Sequence, residues 1–594
     1  MHISTRAHRL PVHLVLLALL VTALPLVLAN RAEASFPHPN TPKFGRAIEP
    51  YASYEGQTVC DPVDRPGAEK IADLIRATYG NDESIGISRN ACYTTSEHND
   101  GRALDWMVDS TTKAGRAKAD SFLSWLLGTD KYGHKDAMAR RLGVMYIIYH
   151  RHIWRAYDGG HWGDYTGTNP HTDHIHISLG YDGSTGRTSF WTGKPLASPC
   201  ANGSLTTNAP KVVNDPMRYV PVAPTRLAST ESGSGMLSGP CRLFHGPGRR
   251  VDVQVTGTGP VPGRGVAAVA LNVAMRRPNW SSSLTAGAAG GDVSPVRRVS
   301  AEQNQISTSS MVLPVGADGK VSFFSDFGAT DLAVSVVGYY VNPDASRTVR
   351  RQIAADGGDE YDGVSPQRVA QLTLGGSERS KVEVAGTAGT DPASSSATVS
   401  LTVTPGAGRG AVYAYPAGQD RPKLPVVTYG RKASTVQTQV PVGRSGSIVV
   451  ENDGTSSRTV NVDLSGAYEP AALAGGRSFA LRKSPKQVVD TGSGLGFSNL
   501  GDGASKTFRL GRSVPRHTDS VLLQVTAKKA KSDGALTFWK PGTTRPDTVD
   551  LSVGAGGVVT GTVVAMVGAG RKVNVKNIGA RGLSVKISVL GSFH

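Results

Sequence analysis

The chain is short of cysteine, of aromatic side chains and of acid, and each shortage closes off a class of protein. Four cysteines in 594 residues cannot build a disulfide scaffold. Aromatic residues at 6%, set against 70 glycines, leave lean cores and many turns, which suits β-rich domains. Past residue 29 no apolar run is long enough to cross a bilayer, so a multi-span helical membrane protein is excluded. Lys and Arg number 64 against 47 Asp and Glu, a net charge of +17, yet no nucleic-acid motif accompanies that charge. The shortage of acid has a local form too: no Glu occurs between Trp106 and Cys200.

Histidine, by contrast, is concentrated. Eight of the 15 lie between His98 and His176, and His171, His174 and His176 fall within six positions. Upstream, Ser96-Glu97-His98-Asn99-Asp100-Gly101-Arg102-Ala103-Leu104-Asp105 offers an imidazole and a carboxylate, with a glycine between them where a turn could bring both onto one ion. Ala103 to Val108 reads as a strand. Its alternation sets Asp105 on one face with Ala103 and Met107, and packs Leu104, Trp106 and Val108 behind. His174 to Leu179 reads as a second strand with both histidines on one face. Catalytic zinc takes three protein ligands from this donor set and leaves a fourth position for water. His150 and His152 share strand parity as well, but Arg151 and Arg155 flank them and cations are poor neighbours for Zn²⁺. Those two read as surface or supporting residues.

The S-x-H-x-x-G-x-A-x-D run from Ser96 to Asp105, followed by H-x-H at His174 to His176, resembles the lysostaphin, D-Ala-D-Ala metallopeptidase and hedgehog superfamily of zinc peptidases. More closely, the stretch from Tyr51 to Tyr181 resembles a secreted actinobacterial domain of that type. The resemblance implies His98, Asp105 and His176 as ligands and Zn²⁺ as the cofactor. D-Ala-D-Ala carboxypeptidases place a Glu three residues before the last ligand, a slot that here holds Asp173. Penicillin-insensitive murein endopeptidases show H-x-x-H-x-H, a spacing that His171, His174 and His176 reproduce. His174, on the face of His176, is therefore the expected base or transition-state stabiliser, with Asp173 the alternative base and His171 a supporting group. Arg89 and Ser96 are expected to bind the carboxylate and carbonyl groups of a peptide.

At the N-terminus, His2, Arg6, His8 and Arg9 precede an apolar run from Leu14 to Ala29, and Ala32-Glu33-Ala34 supplies small residues for cleavage after Ala34. Residues 1–34 thus read as a secretory signal peptide. Export implies an oxidising compartment in which cysteines pair. Of the three connectivities, Cys60 with Cys92 and Cys200 with Cys241 is favoured. Helices are expected from Pro66 to Tyr79, Lys113 to Leu127 and Lys135 to Leu142, the last feeding a strand from Val144 to Tyr149. Residues 35–200 therefore read as one small α+β domain. Residues 201–240, rich in Asn, Ser, Thr, Pro and Gly, read as a linker.

The remainder of the chain is repetitive. Val336-Val337-Gly338-Tyr339-Tyr340 recurs as Leu464-Ser465-Gly466-Ala467-Tyr468 and as Val589-Leu590-Gly591-Ser592-Phe593. The glycines stand about 125 residues apart, a domain's length rather than a solenoid unit's. Short alternating strands and frequent turns predict three tandem β-sandwiches, over 241–342, 351–469 and 478–594. These repeats resemble domains found at the C-termini of secreted actinobacterial proteins, and they hold no second cluster of acids and histidines. Tyr413, Tyr415, Phe538 and Trp539 read as core or cross-strand residues before sugar platforms.

The expectation is a secreted or wall-associated, monomeric, zinc-dependent peptidoglycan peptidase, either an endopeptidase or a D,D-carboxypeptidase. Its β modules would bind peptidoglycan and anionic cell-wall polymers; nucleic acid is not a partner, nor is the membrane once the signal is removed. The alternative is a catalytically silent wall-binding or adhesion protein with a structural zinc site. A fourth protein ligand closing the tetrahedron would favour that alternative.

Overall fold

The computed structural model describes residues 36–57, 60–91, 93–208, 216–246, 249–291, 297–341, 358–471, 473 and 476–594. The expected signal peptide and Cys92 lie outside the described residues. The chain is multidomain and mostly β, with one small part that mixes helices and strands.

That part comes first. Helix α1 (Pro66–Tyr79) has proline at its first position, where the missing N–H costs nothing, and ends at Gly80. Helix α2 (Lys113–Leu126) is capped by Thr112, whose hydroxyl accepts from Gly115 N at 3.0 Å. Helix α3 (Ala137–Leu142) begins two residues later than expected, because Asp136 takes φ +52° at its N-cap. Six strands, β1 (Ile85–Gly86), β2 (Ala103–Trp106), β3 (Val144–Tyr149), β4 (His152–Arg155), β5 (His161–Asp164) and β6 (Ile175–Leu179), form one antiparallel sheet in the order β1-β2-β6-β3-β4-β5. Leu104, Trp106, Ile175 and Ile177 pack on Ile71, Ile75, Phe122 and Leu126 in a single core. Alternation therefore turns Asp105 and His176, which are register partners, to the other face.

Residues 218–229, expected within a linker, instead form a twelve-residue strand, the first of the first repeat. Pro221 and Pro224 conceal it in the sequence, and a bulge in the pairing at Pro221 accommodates the missing donor. Asp359–Leu374 and Phe479–Asp490 open the other repeats in the same way. Each repeat is a sandwich of a four-stranded sheet led by this long strand and a second four-stranded sheet. Each has its own apolar core. Tyr413, Tyr415, Phe538 and Trp539 are buried.

The three repeats close on one another as a ring. Tyr219 and Tyr340 of the first, Tyr361 and Tyr468 of the second, and Phe479 and Phe593 of the third share one buried cluster. The recurring glycine makes this possible, since each lies under the first aromatic ring of its own repeat. A Cβ at Gly338 would come within 2.1 Å of Tyr219, one at Gly466 within 2.3 Å of Tyr361, and one at Gly591 within 2.6 Å of Phe479. Single backbone pairs link the repeats in turn: Tyr219 with Asp359, Tyr361 with Arg477, and Met217 with Phe479. Buried polar contacts finish the seams. Thr438 donates to Asn272 Oδ1 at 2.9 Å, and Thr562 donates to the Ser310 carbonyl at 2.8 Å.

The first repeat also grips the α+β domain. The Cys200–Cys241 disulfide joins them, as expected, and Asp182 accepts from both Arg242 at 3.1 Å and Asn279 at 2.7 Å. Trp280 lies 4.9 Å from the Tyr181 ring, and the Arg65 guanidinium lies over the Trp280 ring at 4.4 Å. Cys60 is disulfide-bonded as well. Among the described residues no helix is long and apolar enough to cross a membrane.

Candidate metal centre

The turn that carries His98 is fixed from several sides. Ser96 caps the short 3-10 turn Glu97–Asp100 by accepting from His98 N, and Gly101 reverses the chain at φ +71°. A Cβ at Gly101 would sit 1.8 Å from the Val63 carbonyl oxygen, so no other residue fits there. Behind the turn, fully buried Arg102 donates to Asp100 at 3.0 Å, to the Leu179 carbonyl at 2.7 Å and to the Glu55 carbonyl at 2.8 Å. Together these bonds of one guanidinium pull β2, β6 and the turn together.

On the open face of the sheet, three donor atoms converge. His98 Nε2 lies 3.2 Å from Asp105 Oδ1 and 3.2 Å from His176 Nδ1, and His176 Nδ1 lies 2.9 Å from Asp105 Oδ1. All three residues are buried. The outer nitrogens have partners of their own. His98 Nδ1 meets the Ile87 carbonyl, which can only accept, and His176 Nε2 lies 2.9 Å from Ser178 Oγ, itself within reach of Glu97 Oε2 at 3.4 Å. With the protons on both outer nitrogens, two imidazole lone pairs and a carboxylate would be aimed at one point, an arrangement that a cation stabilises; a proton on an inner nitrogen gives a hydrogen bond to Asp105 instead. The set fits zinc. Ligands bound tetrahedrally at about 2.0–2.1 Å stand about 3.3 Å from one another, close to the separations seen. Burial pushes the His176 imidazole below its usual range. It also pulls the Asp105 carboxyl upward, but contacts with His176 and His98 outweigh this and hold it well below the carboxylate range.

His174 stands beside the triangle rather than in it. Its Nε2 is 3.6 Å from Asp105 Oδ1, and its Nδ1 is 2.7 Å from Asp173 Oδ1. Asp173 is exposed and spends its carboxylate on His174, so it holds that ring rather than facing the centre itself. His171 packs 4.6 Å from the His174 ring at the uncommon φ of +50°, and burial lowers its pKa to about 4, leaving it neutral. The two expected peptide-binding residues have other partners: Arg89 pairs with Oδ2 of Asp105, and Ser96 caps its turn. His150 hydrogen-bonds Ser110 at 2.8 Å, and His152 faces solvent.

Three residues around the centre are not evident from the motif. Buried Glu97 accepts from the Tyr146 hydroxyl and backs Ser178, and Tyr146 stacks on His176 with ring centroids 5.5 Å apart. Strand parity alone could have found Ser178, two positions after His176; nothing in the local pattern marks Glu97 or Tyr146.

A family model described as the C-terminal domain of VldE matches residues 63–176, the span that carries His98, Asp105, His174 and His176. No curated protein matches the chain. Among solved structures, one titled "The Triple Jelly Roll Fold and Turret Assembly in an Archaeal Virus" is similar at 8% identity and a TM-score of 0.14, covering 67% of this chain and 98% of that one. At that score the likeness carries no argument.

Proposed function

We propose that the chain is a secreted zinc-dependent peptidase of peptidoglycan, its α+β domain hydrolysing a stem-peptide or cross-link bond and its ring of β-sandwiches attaching it to the wall. The observation that carries this reading is the convergence of His98, Asp105 and His176 on one point beside a His174–Asp173 pair. His98 Nε2, Asp105 Oδ1 and His176 Nδ1 would hold the ion. Zinc in such a site acidifies a water and polarises a carbonyl. His174 Nε2 takes up a proton and returns it to the leaving amine, while Asp173 on Nδ1 fixes the ring and offsets the charge it gains. Arg89 neutralises the outer oxygen of Asp105, and neutral His171 packs against His174 without adding charge. The H-x-x-H-x-H spacing favours endopeptidase cleavage, and release of terminal D-Ala alone would reverse that preference.

The test is zinc content and muropeptide cleavage, measured on the full chain and on two variants. Wild type should hold about one zinc per chain and release new stem peptides. His176→Ala should lose the metal, and His174→Ala should keep it while turnover falls on the order of a hundredfold or more. Zinc without cleavage of any wall preparation would make this a wall-binding protein instead.

A further inference from the structure

A cleft of about 710 Å³ opens between the first and second repeats. It lies where their long first strands part: these share only the Tyr219–Asp359 pair, and beyond it Pro221 to Ala223 make one wall. Lys381 and the turn at Arg444 and Ser445 stand on the other. Among the described residues no carboxylate lines the cleft. Lys381 and Arg444 are exposed, and among the described residues neither makes an ion pair.

The first repeat has the same groove, but filled. The turns Gly316–Gly319 and Gly443–Gly446 correspond bond for bond. Gly316 N donates to Lys320 O as Gly443 N does to Ser447 O, and Gly319 O accepts from Val255 N as Gly446 O does from Val384 N. Strand register then equates Asp252 with Lys381, and Ala317-Asp318 with Arg444-Ser445. In the first repeat the chain's own residues 202–207 lie along this groove. Asn202 Oδ1 accepts from Asp252 N at 2.9 Å, and the Asp318 carboxylate accepts from Thr206 N at 2.6 Å and Thr207 N at 3.0 Å. An extended peptide is thus held against an edge strand by backbone and acid. The second repeat keeps the groove, reverses its charge and, among the described residues, leaves it open. The third has neutral Thr507 and Ala569-Gly570 at the same places.

We propose that the cleft between the first two repeats binds an extended acidic peptide, whose carboxylates lie on Lys381 and Arg444. Within the edge strand Arg379–Glu383 of its sheet, Arg379 to Val382 offer unpaired backbone to an added strand, short of the exposed Glu383. The guanidinium of Arg444 suits a carboxylate geometrically, and Lys381 supplies a second positive charge. This inference does not depend on the peptidase reading.

Fluorescence anisotropy of dye-labelled hexaglutamate against the full chain tests it, with polyphosphate as a competing anion. Saturable, salt-sensitive binding is expected. It should weaken at least tenfold in Lys381→Glu combined with Arg444→Glu, with zinc content and melting temperature unchanged because both side chains are exposed. Should that double reversal disturb folding, Lys381→Gln with Arg444→Gln keeps the size without the repulsion and must still weaken binding. Asp318→Ala, in the filled groove, should leave binding as it is. Failure of wild type to bind, or binding indifferent to both pairs of substitutions, would overturn the proposal. Binding of polyphosphate without hexaglutamate would overturn it too, in favour of a phosphate polymer.

Discussion

The hydroxyls of Tyr340 and Tyr468 lie 2.7 Å apart, one from the first repeat and one from the second, and both are closed off from water. Phe593 of the third repeat packs 4.4 Å from Tyr361 in the same cluster. Removing the third repeat would therefore expose aromatic surface belonging to the other two. A chain ending at residue 470 should bind a hydrophobic dye and melt at a lower temperature than the intact ring. Calorimetry that shows the first two repeats melting unchanged would contradict the closed ring.

Two further side chains stand behind the proposed metal ligands. Ser178 orients His176, and Glu97 backs Ser178. Ser178→Ala and Glu97→Gln should each weaken zinc binding by roughly 10–100-fold, as loss of such supporting groups does elsewhere. Competition with a chelator measures this, and an unchanged affinity would remove both residues from the site.

The carboxyl group of Glu55 is buried and accepts from Tyr181 N at 2.6 Å. Burial, with Asp182 adding to it, raises its pKa to about 7. The unfolded chain releases this proton near pH 4.3, whereas the folded chain keeps it. Stability should therefore fall as pH rises from about 4.3 to about 7, and this group's contribution should continue to decline only until its folded-state proton is lost. Glu55→Gln should flatten the melting temperature across that window; an unaltered slope would assign the dependence elsewhere.

The Cys200–Cys241 disulfide closes a loop of 41 residues. Replacing both cysteines by serine should cost about 4 kcal/mol by loop entropy. Zinc content should not change, because the proposed ligands lie on the Glu97–Asp100 turn, β2 and β6 of the α+β domain. Denaturant titration gives the first quantity and metal analysis the second.

Much of the α+β domain is legible in its sequence. Proline at Pro66 and glycine at Gly80 bracket α1, and alternation correctly sends Leu104, Trp106 and Val108 into the core behind Asp105. The pairing of Asp105 with His176 joins two strands whose facing sides are each predictable. Long-range relations are not legible. Glu97 matters through Tyr146, forty-nine residues away, and no local periodicity encodes that contact. Prolines at the bulged positions disguise the first strand of the first repeat as linker. The repeated aromatic residues look like ordinary core, because the sequence of one repeat does not say that another repeat shares it.

Three identical subunits would also form such a ring, but any change to the surface of one would appear in all three. Here the three members are covalently successive and encoded separately. Asp252, Lys381 and Thr507 occupy one structural position with three different charges, negative, positive and none. The three repeats share the symmetry of the interior while the exterior departs from it, so that each seam of the ring carries its own charge.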